Sequence, residues 1–308
     1  MKEVVRKIYL ETTIGPYLIQ PFYGLYNHFK YTIKSDISKI NKEFAHNLGY
    51  KPDLQNPKTY NEKLQWLKLY DRRPLHTQCA DKFAVRAYVK EKVGEKYLIP
   101  LVFETTRIKD IKPENLPDFP IIIKANHDSS GGSIITDKKT TNWIIVRNKL
   151  FKSMHANYYT KYIEWQYKNI KRRVIVEKLL QHKDGSIPFD YKMHYFNGEL
   201  AFIQLDIDRH IGHKRNLYDK DWNFLDIEWV YKNGPSVEKP TCFEEMKSVS
   251  KALAQDFSHV RIDLYTLENK IYFGEMTFHS ESGFGEFKPK EWDLKFGEML
   301  TLPSSKRL

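Results

Sequence analysis

The stretch FPIIIKANHDSSGGSIITDK, residues 119–138, decides how this chain is read. A β-branched run, Ile121 to Ile123, ends in Lys124. A polar loop with paired glycines, Gly131 and Gly132, follows, and a second apolar run, Ile134-Ile135, comes after it. Two strands joined by a small-residue loop, with a lysine at the exit of the first, predict a flap with exposed backbone N–H groups, a sensible way to hold a triphosphate. The pattern is not a P-loop, because no Gly-Lys-Ser/Thr opens a helix after the glycines. Taken alone, a Gly-Gly hairpin is more often only a turn. Its meaning depends on the rest of the chain.

The 308 residues are enough to bury a sizeable core in one large or two to three small domains. Fifty Lys and Arg against 39 Asp and Glu give a formal charge of +11. That surplus favours polyanionic partners: nucleic acid, anionic lipid or an acidic polysaccharide. The bases are dispersed apart from KNIKRR at 168–173, which argues against a nucleic-acid arm. Cys79 and Cys242 are too few and too far apart for a disulfide framework or a zinc site of the usual spacing, so a reducing, cytoplasmic setting is expected. No run reaches the roughly 18 to 20 apolar residues of a membrane span. The opening MKEVVRKIYLETT lacks the apolar core of a secretory signal. Residues 1–34 are aromatic and basic, compatible either with a helical extension packed on the body or with attachment to an anionic membrane surface, here the inner membrane face.

Residues 36–73 read as helical, with Tyr60, Leu64 and Leu67 at helical spacing. Asp81 can cap a helix running AVRAYVKEKVG, which Gly94 closes. YLIPLVFET (97–105) reads as an edge or bent strand because of its proline. Residues 140–170 turn helical and aromatic, and RRVIVEKLL is a further β run. FDYKMHYFNGELAFIQLDID predicts a hairpin about Asn197-Gly198, and RIDLYTLENKIYFGEMTF a second about Glu268-Asn269, with a helix near 243–257 between them. Residues 208–221 read as a polar, charged loop. The fold class expected is α+β with more than one lobe.

Arg261, Asp263 and Glu275 sit on the two arms of the last hairpin, with Arg261 and Asp263 on one strand face. Two carboxylates on neighbouring strands are an oxygen-rich site for Mg²⁺, which takes one or two carboxylates plus substrate phosphates. An arginine beside them can neutralise charge on a transferred phosphoryl group. The plain alternative is a cross-strand salt-bridge patch.

These separated motifs, in this order, resemble the ATP-grasp enzymes, and most closely the TupA-like ATP-grasp group associated with capsular and cell-wall polysaccharide synthesis; the resemblance runs from about residue 45 to 290. It implies two α+β lobes clasping ATP, with a helical region at 1–80, a small lobe with the glycine-rich flap at 81–178 and a large lobe with the metal site at 179–308. Lys82 resembles the family's helix-start lysine and Lys124 its second phosphate lysine, with His127, Ser130, Gly131 and Gly132 completing the flap. Glu177 resembles the acidic residue of the adenine hinge, with backbone groups of Lys178 and Leu179 as adenine contacts, and Asp190 and Lys192 fall near the ribose position. Arg261 and Lys124 are the implied catalytic cations, and Asp263, Glu275 and Thr277 the implied metal ligands; Thr277 stands where the family usually has Asn. The residues 1–80 also depart from the small βαβ domain that usually opens such proteins.

The activity implied is activation of a carboxylate by ATP as an acyl phosphate, followed by attack of an amine. The expected partners are ATP, Mg²⁺, an amino acid or other amine, and an acidic sugar or polysaccharide precursor. Arg209, Lys214 and Arg215 in the 206–224 segment are candidates for holding the acidic substrate, the alternative being a solvated basic loop. A nucleotide-sugar-dependent glycosyltransferase is the second reading, resting on Asp206-Ile207-Asp208, a short motif that chance supplies often. A protein bound to nucleic acid or a membrane by charge alone is the third.

Overall fold

The computed structural model describes residues 2–32, 35–128, 132–208 and 212–304. Six helices open the chain: α1 (Lys2–Glu11), α2 (Gly15–Thr32), α3 (Asp36–Leu48), α4 (Tyr60–Tyr70), α5 (Pro74–Ala80) and α6 (Val85–Lys92). Their limits follow local chemistry. Ser35 caps α3, and Gly49, at φ +82°, ends it. Thr59 and Glu62 form a reciprocal capping box at the start of α4. Asp81 accepts hydrogen bonds from the Phe83 and Ala84 amides, so it caps the turn that leads into α6. Gly94, at φ +98°, closes that segment with its N–H on the carbonyls of Val89 and Lys90.

Next come β1 (Leu101–Thr105), β2 (Ile121–Ala125) and β3 (Ser133–Ile135), then α7 (Trp143–His155), α8 (Tyr158–Tyr162) and β4 (Val174–Lys178). The four strands form an antiparallel sheet in the order β1-β4-β2-β3. β1 is an edge strand, as the proline implied, and begins only after Pro100. Ile121, Ile123, Ile135, Val174 and Val176 bury one face of this sheet against Val146 and Leu150 of α7.

The second sheet is built from β5 (Asp190–Phe196), β6 (Glu199–Ile207), β7 (Lys214–Tyr218), β8 (Phe224–Leu225), β10 (His259–Leu267) and β11 (Lys270–Thr277), in the order β11-β10-β5-β6-β7-β8. Between β8 and β10 lie β9 (Glu228–Trp229) and α9 (Phe243–Ala254); β12 (Phe287–Lys288) pairs with β9, and α10 (Glu291–Met299) follows. Both predicted hairpins form. Asn197-Gly198 and Glu268-Asn269 each place two successive residues at positive φ, matching the twist of the strands they join.

The period of two along these strands separates core from site. Tyr191, Met193, Val260, Ile262 and Leu264 point to Phe243, Met246 and Leu253 of α9. Their neighbours Lys192, His194, Arg261 and Asp263 lie on the opposite face. Toward one end that face turns apolar, and Phe196, Phe202 and Leu217 pack with Tyr60 and Leu64 of α4 and Phe296 of α10.

The loop expected at 208–221 is corrected by this sheet: Lys214–Tyr218 is an internal strand between β6 and β8. Arg215, Asn216, Leu217 and Tyr218 are all buried, so β7 has core on both faces and lacks the alternation by which strands are recognised.

Candidate active site

The antiparallel register sets Asp263 directly opposite Glu275, and Arg261 opposite Thr277. A bulge at Gly274 follows, where a Cβ would lie 2.8 Å from the Tyr265 ring. Arg261 donates two hydrogen bonds to Asp263, Nε to Oδ1 at 2.6 Å and Nη2 to Oδ2 at 2.7 Å, and a third to Glu275 Oε1 at 3.2 Å. The Thr277 hydroxyl donates to the same Glu275 oxygen at 3.2 Å. From the turn after α5, Lys82 reaches across to Glu275 Oε2 at 2.6 Å. Burial alone would raise the Glu275 carboxyl; Lys82 first, then Arg261 and Lys124, outweigh it and hold Glu275 well below the usual carboxylate range. Burial likewise works against the charge on Lys82, and Glu275 more than restores it, raising the ammonium above its ordinary value.

Lys124, on β2, pairs with Glu177 Oε2 at 2.7 Å, and Arg86 of α6 takes the other oxygen at 3.2 Å. Lys178 and Leu179 follow Glu177 where β4 ends. Their amides donate to Pro100 and Pro120 carbonyls, each at 3.0 Å, so neither N–H is left for a ligand. Asp190 and Lys192 on β5 pair with each other, and Lys192 lies 3.5 Å from Asp206.

His127 is buried beneath the flap, with Nε2 against the Ser153 carbonyl at 3.1 Å. Burial, helped by Arg172, pushes it down to about 4, so it is a neutral anchor rather than a phosphate cation. Asp128 beside it accepts from Ser153 of α7 and Tyr158 of α8, which pins the root of the flap. Gly132, at φ +83°, folds back so closely that a Cβ would sit 2.6 Å from the Ile123 carbonyl oxygen. Ser130, Gly131 and Arg209 lie outside the described residues.

Arg215 is not an exposed substrate hook. Its Nε donates to Asp206 at 2.7 Å, its Nη1 pairs with Glu281 at 2.8 Å, and the guanidinium faces the Tyr231 ring at 4.9 Å. Asp206 also accepts from Gln204 at 3.1 Å, so its carboxylate is engaged within the polar network of β6 and β7. Lys214 is half-buried against Gly234.

Asn126, Gln65 and Lys68 had no motif to announce them. Asn126 is fully buried and ties the flap to Lys82: its carbonyl accepts from the Lys82 amide at 2.9 Å, and its side chain donates to Asp81 at 2.8 Å and to Lys171 O at 3.0 Å. Glu281, Ser282 and Gly283, successive residues at positive φ, follow β11 in a tight loop. Lys68 and Gln65 of α4 grip its carbonyls, Lys68 to Ser282 O at 2.6 Å and Gln65 to Gly283 O at 2.6 Å. A polar face on α4 was the available signal.

The donor chemistry suits a magnesium–nucleotide pair. Among the described residues no three His, Cys, Asp or Glu side chains converge to hold a metal on their own. Two carboxylates surrounded by three cations match an ion that takes its remaining oxygens from phosphates. Glu275 is the accessible donor, its side chain 30% exposed against 3% for Asp263.

A family model, the TupA-like ATP-grasp, matches residues 62–301. The chain belongs to the TupA-like ATP-grasp family. As an ATP-grasp protein it has the α+β fold laid out above, with helices preceding the sheets. No curated protein matches it by sequence. Among solved structures, D-alanine–D-alanine ligase from Bacillus anthracis in complex with ATP is similar at 16% identity and TM-score 0.40, over 65% of this chain and 54% of that one. The Helicobacter pylori D-alanine–D-alanine ligase is similar at 16% identity and TM-score 0.41, over 79% and 69%. An L-amino acid ligase from Bacillus licheniformis is similar at 13% identity and TM-score 0.39, over 85% and 55%. The chain thus spans about half the length of the first and third of these, 54% and 55%.

Proposed function

We propose that this ATP-grasp protein is an ATP- and Mg²⁺-dependent carboxylate–amine ligase that joins an amino acid to a sugar acid of a cell-surface polysaccharide precursor. The observation that carries the reading is the Lys82–Glu275–Arg261–Asp263 network, three elements of the fold converging on one carboxylate whose charge is already secured. Glu275, with Asp263 behind it, would hold Mg²⁺, which supplies charge neutralisation between the phosphates. Lys82 and Lys124 are placed to accept phosphate oxygens once their carboxylate partners turn to the metal. Arg261, fixed by Asp263, presents its guanidinium toward the same point, where a preorganised donor is worth on the order of 3 kcal/mol of barrier.

In this reaction the acceptor carboxylate attacks the γ-phosphorus and displaces ADP, giving an acyl phosphate. The amine then attacks the acyl carbon, and inorganic phosphate leaves as the C–N bond forms. The +11 charge supports an acidic acceptor. Among the described residues no helix is long and apolar enough to cross a membrane, so a lipid-carried acceptor would be met at a bilayer surface.

The test traps the acyl phosphate. With ATP, glucuronate or UDP-glucuronate, and hydroxylamine as the amine, the expected products are hydroxamate, ADP and phosphate in equal amounts. Release of UDP from the nucleotide sugar with no ADP formed would replace the ligase with glycosyl transfer.

A further inference from the structure

The N-terminal helices carry a surface that the ATP site does not use. Ile14, Leu18, Phe22 and Leu25 fall at i, i+4, i+8 and i+11 along the start of α2 and its approach, one stripe of a helix. They are 64, 62, 75 and 58% exposed. Val4 and Ile8 of α1 are also exposed. A soluble monomer rarely leaves so many large apolar side chains together in water.

The hairpin beneath the stripe is firmly built. At the elbow a Cβ on Gly15 would stand 2.2 Å from the Ile8 carbonyl oxygen, so only glycine fits. The Tyr9 hydroxyl donates to Gln20 at 2.8 Å and joins the two helices. Asn148 of α7 donates to the Leu10 and Thr12 carbonyls at 3.0 and 2.9 Å, and Tyr17 meets the Phe151 ring edge-on at 5.0 Å. One side of the hairpin is thus bolted to the small sheet's helix, while the stripe is presented outward.

We infer that this hairpin is a docking element for an anionic phospholipid bilayer, lying in the interface with the Ile14–Leu25 stripe among the acyl chains. Charge selects this occupant. Residues 1–34 hold five Lys and Arg against two Glu, and α2 contains no acid at all. Arg6 and Lys7 are exposed on α1 of the same hairpin and supply positive charge for headgroup phosphates. A second copy docking stripe to stripe would instead bring two basic hairpins together. Tyr and Phe dominate α2, the aromatic content suited to the headgroup level. The same helices, α7 and α8, that carry the hairpin also pin Asp128 at the flap root, so a docked bilayer seats the flap side of the ATP cleft.

The inference stands apart from the ligase reading and is tested without turnover. Full-length protein is sedimented with vesicles of phosphatidylcholine, with or without about 30% phosphatidylglycerol, and the partition is compared for wild type, Phe22→Asp/Leu25→Asp and Arg6→Glu/Lys7→Glu. Wild type should favour the anionic vesicles by about tenfold or more, at roughly 1 kcal/mol per basic residue at the surface. Both variants should lose that preference while keeping the wild-type thermal midpoint, and high salt should weaken binding. Equal partition to neutral and anionic vesicles, or unchanged binding by both variants, overturns the inference. So does a concentration-dependent dimer in the absence of lipid that Phe22→Asp/Leu25→Asp dissolves, since a second copy would then cover the stripe.

Discussion

The β10–β11 hairpin has long strands joined by two residues, Glu268 and Asn269, whereas β2 and β3 are short and separated by residues 126–132. In the first, register alone brings Arg261, Asp263, Glu275 and Thr277 onto one face, and each is already hydrogen-bonded to another. In the second, Lys124 finds its partner on a neighbouring strand, and the loop root is held by Asn126, His127 and Asp128 through α7, α8 and the Lys82 turn. On the proposed reading the chemistry stands on the hairpin whose own turn, register and bulge place its residues, and the cover on the hairpin that tertiary contacts place. A rigid catalytic floor and a separately anchored lid are what closure over a nucleotide requires.

The largest effect expected from breaking this contrast comes from the rigid hairpin. Arg261→Met leaves Asp263 buried without its bidentate partner, and chemical denaturation should show a loss of about 3 kcal/mol or more. A variant as stable as the parent would mean that Arg261 is not what compensates Asp263.

On the flap hairpin, Gly132→Ala introduces a Cβ at 2.6 Å from the Ile123 oxygen in a backbone held at φ +83°. The cost should be about 1–3 kcal/mol, with ATP affinity reduced by loss of flap closure. Undiminished ATP affinity would separate flap geometry from nucleotide binding.

Taken per pH unit, the smallest effect comes from two buried histidines. Burial pushes His127 at the flap root and His259 on β10 down to about 4, below the ordinary histidine value of 6.5. Between pH 6.5 and 4 the unfolded chain takes up protons that the folded chain refuses. Stability is therefore full above pH 6.5 and falls as the pH drops toward 4, by about 1.4 kcal/mol per histidine for each pH unit. Denaturant midpoints measured across that interval check the sign; a midpoint that rises on acidification contradicts the burial of neutral imidazoles.

The same contrast explains what was legible in the sequence. Arg261 and Asp263 were readable as one face because of the period of two, whereas Glu275 joins that face only through the bulge at Gly274 and was singled out by its place in the Arg-x-Asp … Glu order. Arg215 was misplaced because β7 is buried on both faces and its charge is answered by Asp206, nine residues away in sequence but opposite in register. The backbone groups of Lys178 and Leu179 were read together as adenine contacts because nothing local shows that Pro100 and Pro120 take both amides. Asn126 is an ordinary residue in an ordinary position until Asp81 and Lys171 arrive from either side. The aromatic, basic character of residues 1–34 was visible, but which side chains face outward depended on Asn148 and Phe151 of α7.

The central claim is that Glu275 is the accessible metal-binding charge of an ATP site whose cations are already in place. Calorimetric titration of wild type and Glu275→Gln with Mg·ATP, against UDP-sugars as comparators, tests it most directly. Mg·ATP should bind wild type and lose about a hundredfold or more in affinity in the variant, with the fold intact and UDP-sugars silent in both. Wild-type Mg·ATP affinity in Glu275→Gln, or UDP-sugar binding in place of ATP, would contradict it.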